Sequence, residues 1–503
     1  MKKKFNEMMN WIRKSTKDIN KYSKEFFKDN IKLILIFFVV YFIALIPLIR
    51  ANINYNDDLG RVRYGYRDFG FGRYVSNFLS IILHGSRSLS DISPFTTILA
   101  ILIMSISSVV ILKILIKDKK IRWYHIVAAL PIGINPYFLQ CYAFKFDAPY
   151  MALSVLLSVL PFVFYNKINK KVGFIIATAI CTFLMAASYQ ASAGIFPMIT
   201  VIIILTMLNE KKDKVEIFKF LSKSIIGYIL GLICFKLSMP PATEYYLDPG
   251  MLSLNDLIPK SIANYKEFYT TVYVDMKLRW LIYIAIIVGA FTVSQILQSK
   301  QKKHISICCV LISLVLLFLM AFGAYPFLKN PIFSPRAMYG FMILISLLSI
   351  KSVDYKNNFI AKVSAICLAY AFLTTSLIFG NAINEQNEYN HFRINLLIND
   401  LNNLDVNNKE PLKIDLEGNA GNSLKVDDLI TKLPILNKLL PSTLGDNKVL
   451  WQVYEIGTYY DIPNVEFNIW TKNKISKKDM KLVKKTRYHS IYQKDNYVLI
   501  KIN

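Results

Sequence analysis

Apolar and polar positions along this chain fall into long blocks rather than short periods. Mostly apolar runs of about 17 to 23 residues recur, separated by short polar turns. Runs of that length can cross a hydrocarbon core of ~30 Å at a rise of ~1.5 Å per residue, and the tenth run, about 337–350, is the short one. The pattern predicts spans over about 32–49, 94–116, 123–141, 148–165, 172–188, 193–208, 221–239, 280–297, 305–325, 337–350 and 359–380. The expected fold is therefore an all-α polytopic membrane protein with about 11 transmembrane helices. Pro131, Asn135 and Pro136 predict a kink or break in the outer half of the third run. Amphipathic stretches at 74–84 and about 257–273 predict helices lying in the interface.

Composition agrees, at 54% hydrophobic and 14% aromatic residues. The net charge of +26 changes meaning once the lysines are placed. With a cytoplasmic N-terminus, the first tail and the turns KDKKIR, KINKK, NEKKDK, QSKQKKH and KSVDYKNN share one side. The opposing turns YAFKFD and YQAS carry a single basic residue between them. That asymmetry is a topology signal, not a nucleic-acid footprint, and it places the C-terminus outside the cell membrane. Residues 1–31 read as a cytoplasmic basic amphipathic tail and 32–380 as the membrane domain, with an outer loop at 51–93. Residues 381–503 read as a small extracytoplasmic α/β domain, from the β-like runs LKIDLEG, KVLWQVYEI and YVLIKIN. The six cysteines lie in or beside apolar runs, and the five histidines form no ligand pattern.

The densest polar stretch is 54–80, NYNDDLGRVRYGYRDFGFGRYVSNFLS, between two long apolar runs. Its bases are all arginine, whose planar fork binds phosphate bidentately. Arg61, Arg67 and Arg73 are candidate ligands of an anionic group, and Arg336, after Pro335 at the tenth run, is a further one. The plainer reading pairs Arg61 and Arg63 with Asp57, Asp58 and Asp68 in a structural network. Adjacent Asp57 and Asp58 suit general-base work or a divalent metal, although nothing in the sequence requires a cofactor. One of them could instead cap a helix beginning at Leu59. Asp147 is a candidate N-cap that also faces the outer side, with Lys145 nearby. Tyr189 and Gln190 are candidate sugar-binding residues.

The spans carry few charges apart from Lys113 and Lys236 near their ends, whereas ion-coupled transporters place ionisable groups near the midplane. The balance favours an enzyme at the outer surface. Nucleotide-activated substrates are not supplied there, so a transferase would need a lipid-linked donor bearing an anionic phosphate.

The pattern DDLGRVRYGYRDFGFGR resembles the first-loop signature of the serotype-converting glucosyltransferases, the Gtr type II family, whose members show DD, an arginine, a glycine, an aromatic and then GR. FKFDAPYMALSVLLSVLP, SYQASAGIFP and SPRAMYG resemble later stretches of that family in the same order, so the resemblance covers roughly 54–381. It implies a GT-C-like membrane glycosyltransferase moving a sugar, often glucose, from a polyprenyl-phosphate donor to a cell-surface glycan. Carried over, Asp57 and Asp58 match the acidic pair, Arg61, Gly72 and Arg73 the rest of the motif, and Asp147, Gln190 and Arg336 later positions. The expected partners are the donor, the acceptor glycan, membrane lipids, a polyprenyl-phosphate sugar synthase and a small flippase, with no nucleic acid. The runner-up expectation is a lipid-linked glycan flippase or transporter.

Overall fold

The computed structural model describes residues 2–503 except 68–71, 118, 166–171, 240–249, 356–357, 405–409, 442–443, 445–448, 461–464 and 468–478, and without the side chains of 2–22, 449–451 and 458–459. Asp68 and the first part of the 240–277 loop therefore lie outside the described residues. The chain opens with one continuous helix, α1 (Lys2–Ala51), that merges the basic tail with the first span. No proline interrupts it before Pro47, so the helix has no reason to break at the tail boundary. The outer loop folds into two short helices, α2 (Asp57–Tyr64) and α3 (Tyr74–His84), and α4 (Phe95–Ile116) returns across the bundle.

The third expected span is broken into α5 (Trp123–Ala129), α6 (Pro131–Ile134) and α7 (Leu139–Ala143). Proline removes a helical N–H donor and crowds the preceding turn; Pro136 leaves the Ile132 carbonyl without its helical donor, and the buried Asn135 Nδ2 donates to it at 3.3 Å and to the Pro131 carbonyl at 2.9 Å. Next come α8 (Ala148–Phe164) and α9 (Gly173–Ser188), then a 3₁₀ turn at Gln190–Gly194 leading into α10 (Ile195–Asn209). The remaining bundle helices are α11 (Lys214–Ser238), the amphipathic α12 (Leu257–Asp275), α13 (Leu278–Gln298), α14 (Lys303–Met320), α15 (Pro335–Val353) and α16 (Phe359–Leu401).

Among the described residues, eight helices are long and apolar enough to cross a membrane. The expected third, fourth and fifth spans are realised as shorter apolar helices. At 17 and 16 residues, α8 and α9 rise only about 25 Å, short of a ~30 Å core. The outer loop packs on their ends: Ser76 Oγ donates to the Ser188 carbonyl at 2.9 Å, and Arg61 lies 2.8 Å from Asp147 at the start of α8. The tenth expected span, α15, is the most enclosed, with 94% of its apolar window buried. Gly340, Ser346, Ser349 and Ser352 are all buried on it, and such small side chains let neighbouring helices approach.

Beyond position 380 there is no break, because α16 continues straight to Leu401 and carries the chain into the C-terminal region. There a five-stranded sheet forms from β1 (Leu412–Gly418), β2 (Val465–Phe467), β3 (Lys481–Lys485), β4 (His489–Lys494) and β5 (Tyr497–Ile502), in the order β2-β1-β5-β4-β3. β1 runs parallel to β2 and β5, while β4 runs antiparallel to β3 and β5. Three helices accompany it: α17 (Leu424–Lys432), α18 (Leu436–Leu439) and α19 (Val449–Tyr459). LKIDLEG and YVLIKIN are strands as expected, but most of KVLWQVYEI is helix α19. Gln452, Val453, Glu455 and Ile456 are all buried, which is the 3-to-4 spacing of one helical face.

Candidate active site

The acidic pair is carried by α2. Asp57 and Asp58 are its first two residues, where carboxylates suit the positive end of the helix, and Asn56 holds the cap position. The helix is eight residues long and ends at Gly65 in the left-handed region, at φ 61°. A Cβ there would collide with Ser88 Oγ, and the Gly65 carbonyl accepts Leu89 N–H at 2.9 Å. Glycine thus lets the loop close on itself. One position along a helix turns a side chain by about 100°, and here it separates a half-buried Asp57 from a fully buried Asp58.

Asp58 Oδ2 accepts the backbone N–H of Lys145 at 3.0 Å, and its buried Oδ1 has no hydrogen-bond partner. Burial pushes its carboxyl up from 3.8 to about 8. Arg61 opposes that shift, while the Asp147 and Asp57 charges reinforce it.

Asp147, at the N-cap of α8, is the hub of the arginines. Arg61 Nη1 lies 2.8 Å from its Oδ2 and Arg73 Nη1 lies 3.9 Å away. Burial alone would raise the Asp147 carboxyl, but these two cations outweigh it and hold it below the usual value. Arg73 also sits over the Tyr189 ring at 5.2 Å. Arg67 is tied into the loop, with Nε donating to Ser80 Oγ at 2.6 Å and Nη2 to the Ser86 carbonyl at 2.9 Å. Arg61, Arg67, Arg73 and Asp147 line one cavity of about 20 Å³, room for a water and not for a phosphate.

Arg336 is different. At the start of α15, its guanidinium stacks over the Phe144 ring at 4.7 Å, and among the described residues no carboxylate lies within ion-pair distance of it. The charge of Asp57 reaches it.

The expected site residues thus split by surroundings. Asp58, Arg61, Lys145 and Tyr189 are buried; Asp57, Arg73, Asp147, Gln190 and Arg336 are half-buried. Lys145 Nζ is held 2.6 Å from Asp91, a carboxylate the sequence reading passed over. Gln140 was also missed, and it is the centre of a buried network. Its Nε2 donates to Tyr55 Oη at 3.1 Å, and its Oε1 accepts Ser334 Oγ at 2.6 Å and Arg336 N–H at 2.9 Å. A glutamine inside an apolar, proline-broken run was the available signal.

The C-terminal region reaches this site directly. Tyr55 Oη donates to the Leu439 carbonyl at 2.8 Å, and Lys438 Nζ lies 2.9 Å from Asp275. α19 packs on α2, so closely that a Cβ at Gly60 would stand 2.9 Å from the Tyr454 ring.

The described helices form a polytopic bundle with a buried to half-buried cluster of carboxylates and arginines at its outer loop, Asp58, Arg61, Arg73 and Asp147 among them. Residues 46–347 match the family described as glucosyl transferase GtrII, and the chain belongs to that family. It is also 24% identical over 445 residues to an uncharacterized 55.3 kDa protein in the gtrB 5′ region of Salmonella phage P22, covering 83% of this chain and 87% of that protein. No solved structure matches. The chain is thus a membrane protein of a glucosyltransferase family.

Proposed function

We propose that the chain transfers glucose or a related hexose from a polyprenyl-phosphate donor to a cell-surface glycan at the outer face of the membrane. The observation that carries this reading is a half-buried Asp57 whose charge acts on Arg336, a guanidinium that among the described residues has no carboxylate within ion-pair distance. Asp57 is the general base: it takes the proton of the acceptor hydroxyl as that oxygen bonds to the sugar's anomeric carbon. The bond from that carbon to the phosphate oxygen breaks, and polyprenyl phosphate leaves with the electron pair. Arg336, together with Arg73, stabilises the charge that grows on the leaving phosphate.

Asp58 is a positioning residue. It offers no surface to a hydroxyl, and at neutral pH it holds its proton. A protonated carboxyl that already accepts Lys145 N–H is a poor metal ligand. Among the described residues no group of three or more His, Cys, Asp or Glu side chains could complete a site.

The donor tail has a matching surface. A groove of about 430 Å³ lined by Ile262, Tyr265, Tyr269, Leu314 and Phe318 runs between α12 and α14, and Tyr269 contacts Phe341 of the Arg336 helix. The test is surface-glycan sugar analysis of cells carrying the wild type or Asp57→Asn, with membrane insertion checked. Loss of one hexose with Asp57→Asn supports the reading; an unchanged sugar profile refutes the general-base role.

A further inference from the structure

The end of the bundle opposite the Asp57 loop holds a second polar cavity, of about 390 Å³. It lies where α4, α10, α13 and α15 finish. The 22 residues of α4 put it about 33 Å from that helix's outer end, and Lys351 is about 22 Å along α15 from Arg336. Four lysines and two carboxylates line it: Lys117, Lys119, Lys300, Lys351, Glu210 and Asp354.

Both acids are already engaged. Lys117 Nζ lies 3.4 Å from Glu210, and Lys119 Nζ lies 2.6 Å from Asp354, whose other oxygen is 3.4 Å from His125 Nε2. Among the described residues, Lys351 and Lys300 have no ion pair of their own. Lys300 is exposed at the mouth, but Lys351 is only 9% exposed. An ammonium that is nine-tenths buried without a hydrogen-bonded anion is costly, so its retention inside a cavity points to an anion that enters.

We infer that this cavity binds the phosphate of an anionic lipid headgroup, with Lys351 at its floor and Lys300 at its rim. A phosphate supplies oxygens enough to meet both ammonium groups. The lipid, rather than a soluble phosphate, is favoured by position and lining: the site opens at the ends of four membrane helices, at headgroup depth, and Leu115 and Ile116 give it an apolar wall. This site is independent of the glycosyl-transfer reading.

The test uses full-length protein in nanodiscs of phosphatidylcholine with or without phosphatidylglycerol. Measurements are thermal stability and, after mild detergent release, phosphatidylglycerol retained per chain by native mass spectrometry. Expected is a higher Tm with phosphatidylglycerol, and retention at least about five-fold lower in Lys351→Met and lower in Lys300→Gln. Inorganic phosphate added to phosphatidylcholine nanodiscs should not reproduce the gain; if it does, the lipid assignment is wrong. Equal retention in wild type and both variants also overturns the proposal. Lys300 is exposed and its replacement leaves packing untouched, so Lys300→Gln carries the test even if Lys351→Met fails to fold.

Discussion

Replacing Asp58 by asparagine should leave the fold intact and remove a pH dependence that the wild type carries. Asparagine has nearly the shape of a neutral carboxylic acid, and its Oδ1 can still accept Lys145 N–H. The wild-type carboxyl is fully buried and titrates at about 8 in the folded chain, against 3.8 as its ordinary value. Its folded value is raised, so its contribution to stability is fully present below about pH 4 and is lost as pH climbs through 8. Between those limits the folded chain holds a proton that the unfolded chain has released. Each pH unit then removes about 1.4 kcal/mol, or about 4 kcal/mol between pH 5 and pH 8. Asp147, held below the usual carboxylate value, is already ionised over that window and stays flat. Thermal unfolding of wild type and Asp58→Asn in one detergent, from pH 5 to pH 9, reads the difference. The variant should gain on the wild type steadily as pH rises and level off above pH 8. Parallel curves would show that Asp58 is ionised at neutral pH, and the division of labour between the two aspartates would collapse.

Arg336→Ala should raise the KM for the lipid-linked donor about ten-fold or more, which is a loss of about 1.4 kcal/mol, and Arg336→Lys should fall between, since it keeps charge but loses the planar stack on Phe144; unchanged donor KM in both removes Arg336 from the phosphate site. Asp147→Asn strips the counter-charge from a buried Arg61 and should cost about 3–5 kcal/mol, read as a drop in Tm, whereas the apolar pair Arg61→Met with Asp147→Leu should recover much of it. Gly60→Ala should cost about 1–3 kcal/mol by forcing α2 away from Tyr454, and limited proteolysis should then cut the C-terminal region faster; an unchanged cleavage rate would mean that α19 does not rest on α2.

Much of the membrane architecture was legible because hydrophobic run length is a direct physical signal. The proline break after Ala129 and the amphipathic helix from Leu257 were equally readable, each from local chemistry. What escaped depends on long-range packing. KVLWQVYEI contains β-formers, yet its buried face follows a 3-to-4 spacing that only docking on α2 selects. That α8 and α9 are too short to span comfortably is visible in their lengths, but not that Ser76 and Arg61 of the outer loop bond to their ends. Gln140 looked like one polar residue in an apolar run, and its role appears only when Tyr55, Ser334 and Arg336 converge on it from three distant segments.

The arginines show how the structure sorts residues that the sequence offers together. Four arginines within 61–73 draw attention to that loop, but Arg61 and Arg73 converge on Asp147, and Arg67 is tied to Ser80 and Ser86. Each of these three guanidiniums is thus held by fixed partners, Asp147 for two of them and neutral oxygens for Arg67, and the cavity they share admits little more than a water. Arg336 comes from the far side of the sequence, stacks on Phe144, and among the described residues has no carboxylate within ion-pair distance. A ligand phosphate is bound by charge left over after folding, not by the charge written into a segment. By the same reasoning Asp57, half-buried within reach of Arg336, outranks the more enclosed Asp58 as the proton acceptor. On the proposed function, the arginine-rich loop is the frame that holds α2 in place, and the reaction belongs where that frame meets the start of α15.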